Sequence, residues 1–261
     1  SSQQSSPVNG NHLSNIGSAN EDNTLIDRSI RFQHRYKGFE NHRITSGIEE
    51  SYYAVRYETN KLDGSVSNTV VFNQEGFLHA FFLQDQWIPN DRWDIQAGYR
   101  VSYYNELEGF YGSPRLALKY RVRPGVSLET SLGRHHQFVH RLIGENMTRG
   151  TRRMWIISSR QIPCISSLNY HTGLNWEKGY YSLSMSGYYR SLVDIFQFQG
   201  SFIPTTTLVN NRIVSNNEID FGTGTARGME LLLRKKDGMV SGWISYQLNR
   251  TKYDFPSLNN G

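Results

Sequence analysis

Apolar and polar side chains alternate on both sides of a tight turn near the middle of the chain. Over residues 114–122 the apolar positions are Leu116, Leu118, Tyr120 and Val122, and the positions between them are Arg115, Ala117, Lys119 and Arg121. The alternation breaks at Arg123–Gly125 and then resumes as far as Phe138. A period of two is typical of β-strands with two different faces, so the pattern predicts a hairpin. Glu129 would share a face with Lys119, which favours this register.

The same unit recurs along the chain, as two strands of about ten residues joined by a short turn. The further predicted strand pairs are Thr24–Tyr36 with His42–Glu58, Phe77–Trp87 with Trp93–Tyr104, Asn169–Trp176 with Tyr180–Phe196, and Thr225–Lys235 with Met239–Tyr253. The connections between successive hairpins are predicted to be long loops over Asn60–Gly76, Val139–Leu168 and Gln199–Gly224. Short turns at one end and long loops at the other are typical of an outer-membrane barrel.

The low overall hydropathy excludes helical membrane spans. Only 37% of the 261 residues are hydrophobic, the mean hydropathy is -0.58, and no run approaches the roughly 18 to 20 apolar residues that a spanning helix needs. Tilted barrel strands of about 9 to 11 residues alternate apolar and polar side chains, so they span a membrane at low average hydropathy. The pattern predicts an all-β fold, an antiparallel transmembrane β-barrel. The alternative is a soluble β-sandwich or barrel that binds carbohydrate through surface aromatics.

Aromatic side chains stand beside the predicted short turns. The residues in question are Trp87, Trp93, Trp176, Tyr36, Tyr180 and Tyr181. Amphipathic rings at strand ends favour a membrane interface. In the soluble alternative the same rings would close the bottom of a barrel. The polar faces of the strands are rich in Ser, Gln, Asn and Arg, which suits a water-filled lumen.

Several short motifs follow one another in a specific order. The run FFLQDQW is followed by DIQAGYR, SPRLALKY and a strand ending SLGRHHQF, and later by TGLNWEKGYYSLSMSGYYR, the G-x-E of Gly228–Glu230 and GWISYQLNRTKYDFPSLNNG. This order resembles the barrel of TonB-dependent outer-membrane receptors, in which Q-D-x-W, G-x-R and S-P-R-x-x-x-x-Y strands succeed one another. The resemblance covers nearly everything from about Leu25 to the end of the chain.

The resemblance implies a barrel of about twenty-two strands with a plugged lumen, in the outer membrane of a Gram-negative bacterium. Such receptors take up a scarce nutrient, such as an iron chelate, a cobalamin or a glycan, with energy delivered through TonB. We expect this chain to be a central part of such a barrel, with about ten strands and the plug outside it. Residues 1–23 are predicted to be a loop or disordered lead-in and residues 24–261 the partial barrel.

Two groups of charged residues are candidate site residues. On the predicted lumen wall we expect Arg100, Arg115, Lys119, Arg121 and Glu129 to contact the plug or the solute, or to pair with one another. In the long loop and the strand before it, lipopolysaccharide phosphates or an anionic ligand would be met by Arg134, His135, His136, Arg152 and Arg153. The implied partners are outer-membrane lipid, the TonB complex acting through the plug, a small-molecule or glycan ligand, and in some receptors a surface lipoprotein.

The sequence gives no indication of catalysis, metal binding, nucleic-acid binding or disulfide formation. No nucleotide-binding glycine loop or serine nucleophile elbow occurs, so we expect no enzyme activity and no cofactor. Adjacent His135 and His136 on a strand would point to opposite faces, so no metal site is predicted there. The net charge is +5, but no compact basic groove with stacking aromatics is apparent, so nucleic acid is not an expected partner. The single cysteine, Cys164, cannot form a disulfide within the chain.

Overall fold

The computed structural model describes residues 19–63, 66–146, 150–198, 208–209, 212–213 and 219–256. Nearly all of them form strands. In chain order these are β1 (Ala19–Tyr36), β2 (His42–Asp63), β3 (Val66–Asn90), β4 (Trp93–Tyr104), β5 (Gly109–Arg123), β6 (Val126–Gln137), β7 (Val139–Asn146), β8 (Gly150–Ile157), β9 (Ile165–Lys178), β10 (Tyr181–Phe198), β11 (Leu208–Val209), β12 (Arg212–Ile213), β13 (Ile219–Lys235) and β14 (Gly242–Asp254). In the described ranges no helix is long and apolar enough to cross a membrane.

Ten strands form one antiparallel sheet in the order β1-β2-β3-β4-β5-β6-β9-β10-β13-β14. Each strand pairs with its neighbours in antiparallel ladders, with register shifts in β3–β4, β5–β6 and β10–β13, and β1 and β14 are the two edges. The five predicted hairpins are all present, and Lys119 pairs with Glu129 as their opposite charges suggested. Gly125 and Gly179 occupy turns with φ of 78° and 57°, a conformation that glycine adopts at little cost. The fold is therefore a partial antiparallel barrel wall.

The convex face of the sheet is apolar and open to its surroundings. The leucines of the central hairpin lie there, and Leu116, Leu128 and Leu132 remain 41%, 46% and 38% exposed. Lys119 and Arg121 stand on the concave face, one position away along the strand. A soluble sandwich would enclose these leucines in a core. The arrangement is instead that of a barrel with an apolar exterior and a polar lumen.

Aromatic residues mark both edges of this apolar band. On β3, β4 and β5 the outward-facing pairs Trp87 and Phe77, Trp93 and Tyr103, and Tyr120 and Phe110 are each ten residues apart. The rings contact across strands, with centroids 4.5 Å apart for Trp93 and Tyr120 and 5.1 Å apart for Tyr103 and Phe110. Ten residues span about 33 Å along a strand, or about 25 Å along the axis of a barrel whose strands tilt by about 40°. That height matches the apolar band of an outer-membrane barrel.

Strands β7 and β8 form a separate hairpin, here called the cap, which folds over the upper end of the concave face. Its apolar residues Met154 and Ile156 pack with Tyr57 and Phe72 of the wall, together with Ile162. The Asn23 side chain of β1 accepts a hydrogen bond from the Trp155 backbone N–H at 2.6 Å and donates one to the Trp155 carbonyl oxygen at 3.4 Å. The cap is thereby attached to the first strands of the sheet.

The upper connections differ from the predicted loops. Most of Asn60–Gly76 is strand, because β2 and β3 extend to Asp63 and from Val66, so that prediction was wrong. The predicted loop Val139–Leu168 contains the cap, and Gln199–Gly224 contains the short ladder of β11 with β12. At the N-terminal end β1 begins at Ala19, before the expected start at Thr24. Polar segments above the membrane continue the ladder because their backbone groups still need partners.

Candidate ligand-binding cleft

A cleft of about 850 Å³ lies on the concave face below the cap, between β1 and β10. Its lining is strongly basic. The ionisable residues of the lining are Arg31, Arg35, Arg100, Arg115, Arg190, His135, His136, Tyr53, Tyr99, Asp27 and Glu49. Five guanidinium groups thus face two carboxylates, which gives the cleft an excess of positive charge and makes it attractive to anions.

Glu49 of β2 compensates two of the arginines. Its Oε2 accepts a hydrogen bond from Arg31 Nε of β1 at 2.5 Å, and its Oε1 accepts one from Arg100 Nη2 of β4 at 2.7 Å. Arg100 reaches across β3 because the residue between them, Ala80, is the register partner of Glu49 and is small. The Glu49 side chain is only 13% exposed. This carboxylate therefore links its neighbouring strand β1 to β4, which lies two strands away.

An aromatic ring lies beneath the same arginine of β1. The Arg31 guanidinium carbon stands 5.4 Å from the centroid of the Phe82 ring, within the range of a cation–π contact. Phe82 in turn covers Gly47, its register partner on β2. A β-carbon on Gly47 would collide with this ring and with the carbonyl oxygen of Phe32. The absence of a side chain at Gly47 lets the ring lie flat on the wall.

The remaining arginines of the cleft keep free guanidinium groups. Arg190 donates a hydrogen bond from Nε to Asn169 Oδ1 at 2.8 Å. Within the described residues neither Arg35 nor Arg115 has a carboxylate at ion-pair distance. These three side chains line the cleft from β1, β5 and β10. Arg115 and Arg190 are available to an anionic group that enters from above, whereas Arg35 stands at the lower end of β1, next to the turn.

His135 and His136 both line the cleft, which strict alternation along a strand does not predict. The ladder between β5 and β6 ends at Arg115 and Gly133, so the last residues of β6 are free to rotate away from β5. His136 Nδ1 lies 3.1 Å from Ser113 Oγ. In the ranges that the structure describes, no group of three or more His, Cys, Asp or Glu side chains is placed to hold a metal ion.

The other predicted lumen residues stand lower on the wall. Lys119 and Glu129 are register partners that line a smaller recess of about 290 Å³, together with Asp94 on the other side of Lys119. Arg121 lies at the lower turn and donates a hydrogen bond to the carbonyl oxygen of Asp91. The predicted lumen residues therefore fall into an upper cleft group and a lower group.

The predicted loop residues are dispersed as well. Arg134 is exposed, and its place in the register puts it on the convex face, away from the cleft. Arg152 and Arg153 pair with Gly144 and Ile143 in the cap ladder. Their side chains lie outside the described residues.

His140 secures the base of the cap. Its side chain is buried, its Nε2 lies 2.8 Å from Ser158 Oγ, and its Nδ1 has no partner among the described residues. Burial lowers the pKa of His140 to about 4, because an apolar environment disfavours the charged ring. The Ser158 backbone N–H closes the cap by donating to the Phe138 carbonyl oxygen at 2.8 Å. His140 is therefore neutral at physiological pH.

Comparison with known families decides the identity of this wall. The family described as "TonB dependent receptor-like, beta-barrel" matches residues 1–261. The chain belongs to the TonB-dependent receptor barrel family. Membership implies the outer membrane of a Gram-negative bacterium, and the relatives of this barrel are receptors and transporters and not enzymes. No curated protein matches the chain significantly.

Solved receptors share the fold of this TonB-dependent barrel at low sequence identity. The ferric yersiniabactin uptake receptor FyuA from Yersinia pestis is 13% identical with a TM-score of 0.62, over 90% of this chain and 37% of that one. The FrpB iron transporter from Neisseria meningitidis is 10% identical with a TM-score of 0.63, over 89% and 36%. The RagAB peptide importer is 11% identical with a TM-score of 0.55, over 91% and 31%. The chain thus spans 31–37% of the length of these receptors.

Sequence reasoning missed several residues of the receptor cleft. Glu49 is followed by Glu50, so its facing is ambiguous, but Arg31 stands between Ile30 and Phe32, so its face could have been read from the same period of two. Their joint contact with Arg100 could not, because it depends on the height of each residue along the barrel and on the small side chain of Ala80. No pattern in the sequence pointed to a role for Asn23 or His140.

Proposed function

We propose that this chain forms part of a TonB-dependent receptor that takes up an anionic solute across the outer membrane. The observation that carries the proposal is the excess of arginine over carboxylate in the cleft below the cap. Arg35, Arg115 and Arg190 supply charged donors from three strands. Arginine binds carboxylate and phosphate groups in a bidentate fashion, so several such donors favour a ligand with several anionic oxygens.

The plug of the complete receptor is proposed to meet the lower part of the wall. Lys119, Glu129, Arg121 and Asp94 stand there, below the cleft. A solute bound above would then be released downward when TonB, acting through the plug, opens the lumen. Arg100 is held by Glu49 and is therefore proposed to shape the cleft instead of binding the solute.

The ligands named for the structural neighbours bear on which solute the cleft would bind. The names of those neighbours refer to ferric yersiniabactin, iron and peptide. An acidic ferric chelate fits the basic cleft better than a glycan or a cobalamin, because it carries more negative charge. A surface lipoprotein is proposed as a further partner of the complete receptor. Lipopolysaccharide or ligand contacts through Arg134, His135, His136, Arg152 and Arg153 remain part of the proposal.

The test compares binding and uptake by the full-length receptor and two variants. The probe is the ferric complex of 2,3-dihydroxybenzoate, which is anionic. We expect Arg115→Gln with Arg190→Gln to weaken its binding at least about tenfold, since each lost charged hydrogen bond costs about 1.5–3 kcal/mol. The matched control is Arg234→Gln with Arg123→Gln, which removes two arginines outside the cleft and should leave binding unchanged.

Uptake of the labelled iron gives a second measurement. Uptake should cease in cells lacking TonB while binding to the receptor persists. Equal binding by the cleft variant and the wild type would refute the anionic ligand. Uptake that continues without TonB would refute the transport mechanism.

A further inference from the structure

A histidine lies between the two arginines of the cleft that are available to a ligand. The register partners across β5, β6, β9 and β10 are, in order, Arg115, Gly133, Asn169 and Arg190. His135 stands two positions above Gly133 on β6 and lines the cleft. A β-carbon on Gly133 would stand 3.1 Å from His135 Nε2 and 3.5 Å from Arg115 Cγ. The His135 ring therefore lies over this glycine, beside the stem of Arg115.

The second arginine approaches the ring from the other side. Arg190 donates a hydrogen bond from Nε to Asn169 Oδ1 at 2.8 Å, which draws its side chain from β10 towards β9 and β6. His135, Arg115 and Arg190 all line the same cleft. Within the part of the chain that the structure describes, no hydrogen bond or ion pair engages the His135 ring. Its nitrogens are therefore free to bind a ligand in the cleft.

Positive charges surround this ring. The charged groups that act on His135 are Arg115 and Arg190. The carboxylates that line the cleft, Asp27 and Glu49, belong to β1 and β2 and stand on the opposite side. A proton on the ring would add a third positive charge between two others, which like-charge repulsion disfavours. An anion bound by both arginines removes that repulsion and accepts a hydrogen bond from the protonated ring.

We propose that anion binding in the cleft is coupled to the uptake of one proton by His135, which then becomes a third charged donor to the bound anion. The proton comes from solvent, binds to a ring nitrogen of His135, and returns to solvent when the anion leaves. This coupling rests on the proposed function, because it belongs to the anion-binding cleft, and it makes the affinity depend on pH. An anion whose own charge does not change should bind more tightly as the pH falls.

The test measures binding of pyrenetetrasulfonate to the purified full-length receptor. The sulfonate groups of this fluorescent anion stay ionised over the pH range used, so a change in affinity reports on the protein. We expect the affinity of the wild type to rise about tenfold from pH 8 to pH 6. In His135→Gln the affinity should stay within about twofold over the same range, because glutamine donates hydrogen bonds but takes up no proton.

Other histidines test whether the proton belongs to this ring. His34 is exposed and lies outside the cleft, so His34→Gln should keep both the affinity and the pH dependence of the wild type. His136 lines the cleft with its Nδ1 3.1 Å from Ser113 Oγ, and His171 lines the recesses below. Loss of the pH dependence in His136→Gln or His171→Gln, with its retention in His135→Gln, would overturn the proposal.

Calorimetry of the wild-type receptor adds a measurement that needs no variant. Titrations with pyrenetetrasulfonate at pH 7, in two buffers that differ in ionisation enthalpy, give the number of protons taken up on binding. We expect between about a half and one proton. Binding without proton uptake would overturn the proposal and leave the anionic ligand of the proposed function intact. Absence of binding by the wild type at every pH would refute the anionic cleft itself, and the coupling with it.

Discussion

At the scale of single residues, Glu49 is the charge on which the upper wall depends. It accepts hydrogen bonds from Arg31 and Arg100 and is mostly buried between them. The change Glu49→Gln would leave two arginines close together with no carboxylate. We expect it to lower the free energy of unfolding by about 2–3 kcal/mol, because hydrogen bonds to charged groups are lost and positive charges repel. Denaturant unfolding of the full-length receptor in lipid vesicles measures this loss.

The control for Glu49 is Glu58, an acid of the same strand whose side chain is 32% exposed, against 13% for Glu49. Glu58 pairs with Arg56 at 2.9 Å, and the Arg56 side chain is 62% exposed, so Glu58→Gln should change stability by no more than about 1 kcal/mol. The double variant Glu49→Gln with Arg100→Gln should recover part of the loss. Equal stability of the Glu49 variant and the wild type would show that the bridge contributes nothing.

Gly47 provides a second residue-scale prediction, which concerns space instead of charge. Its missing side chain allows the Phe82 ring to cover β2, and an added β-carbon would meet that ring and the Phe32 carbonyl oxygen. We expect Gly47→Ala to destabilise the barrel by about 1–3 kcal/mol through overpacking. Gly242→Ala is the matched substitution, since nothing lies within 4 Å of its β-carbon position. A melting temperature unchanged by Gly47→Ala alone would contradict the packing described here.

At the scale of elements, the alternation of apolar and polar residues predicted the strands inside the apolar band well. It predicted the segments above that band poorly. The hairpin around Arg123–Gly125 was predicted with its register, because lipid on one side and water on the other impose a strict contrast on each strand. Above the apolar band both faces meet water or other polar chain, so the segment 60–76 shows no such contrast, although its backbone still forms a ladder. The cap was missed for the same reason, since its packing on Tyr57 and Phe72 is a tertiary contact.

The cap should open more readily at acid pH. His140 has a pKa of about 4 in the closed cap, against an ordinary value of 6.5. Below pH 6.5 the opened cap therefore binds a proton that the closed cap does not, so closure is fully stable above pH 6.5 and weakens as the pH falls towards 4. The total loss is about 3 kcal/mol. Hydrogen exchange of the Ser158 amide, corrected for the intrinsic rate at each pH, measures it.

Substitution of the histidine separates this effect from general acid sensitivity. In His140→Gln the protection of the cap amides should no longer depend on pH between 6.5 and 4. His171→Gln is the control, because His171 lines the lower recess and does not contact the cap. The same acid-dependent loss of protection in His140→Gln as in the wild type would exclude His140 as its source.

At the scale of the whole molecule, the fold predicts which tryptophan side chains contact lipid. Trp93 lies on the convex face at the lower aromatic belt, whereas Trp155 lies in the cap, where its backbone is bound by Asn23. In full-length receptors that retain a single tryptophan, vesicles with brominated acyl chains should quench Trp93 fluorescence strongly and Trp155 little, because bromine quenches only at contact distance. Aqueous iodide provides the complementary measurement for the cap. Quenching of both tryptophans to the same extent would mean that the convex face is not the lipid-facing surface, and the barrel orientation derived from the alternating leucines would be wrong.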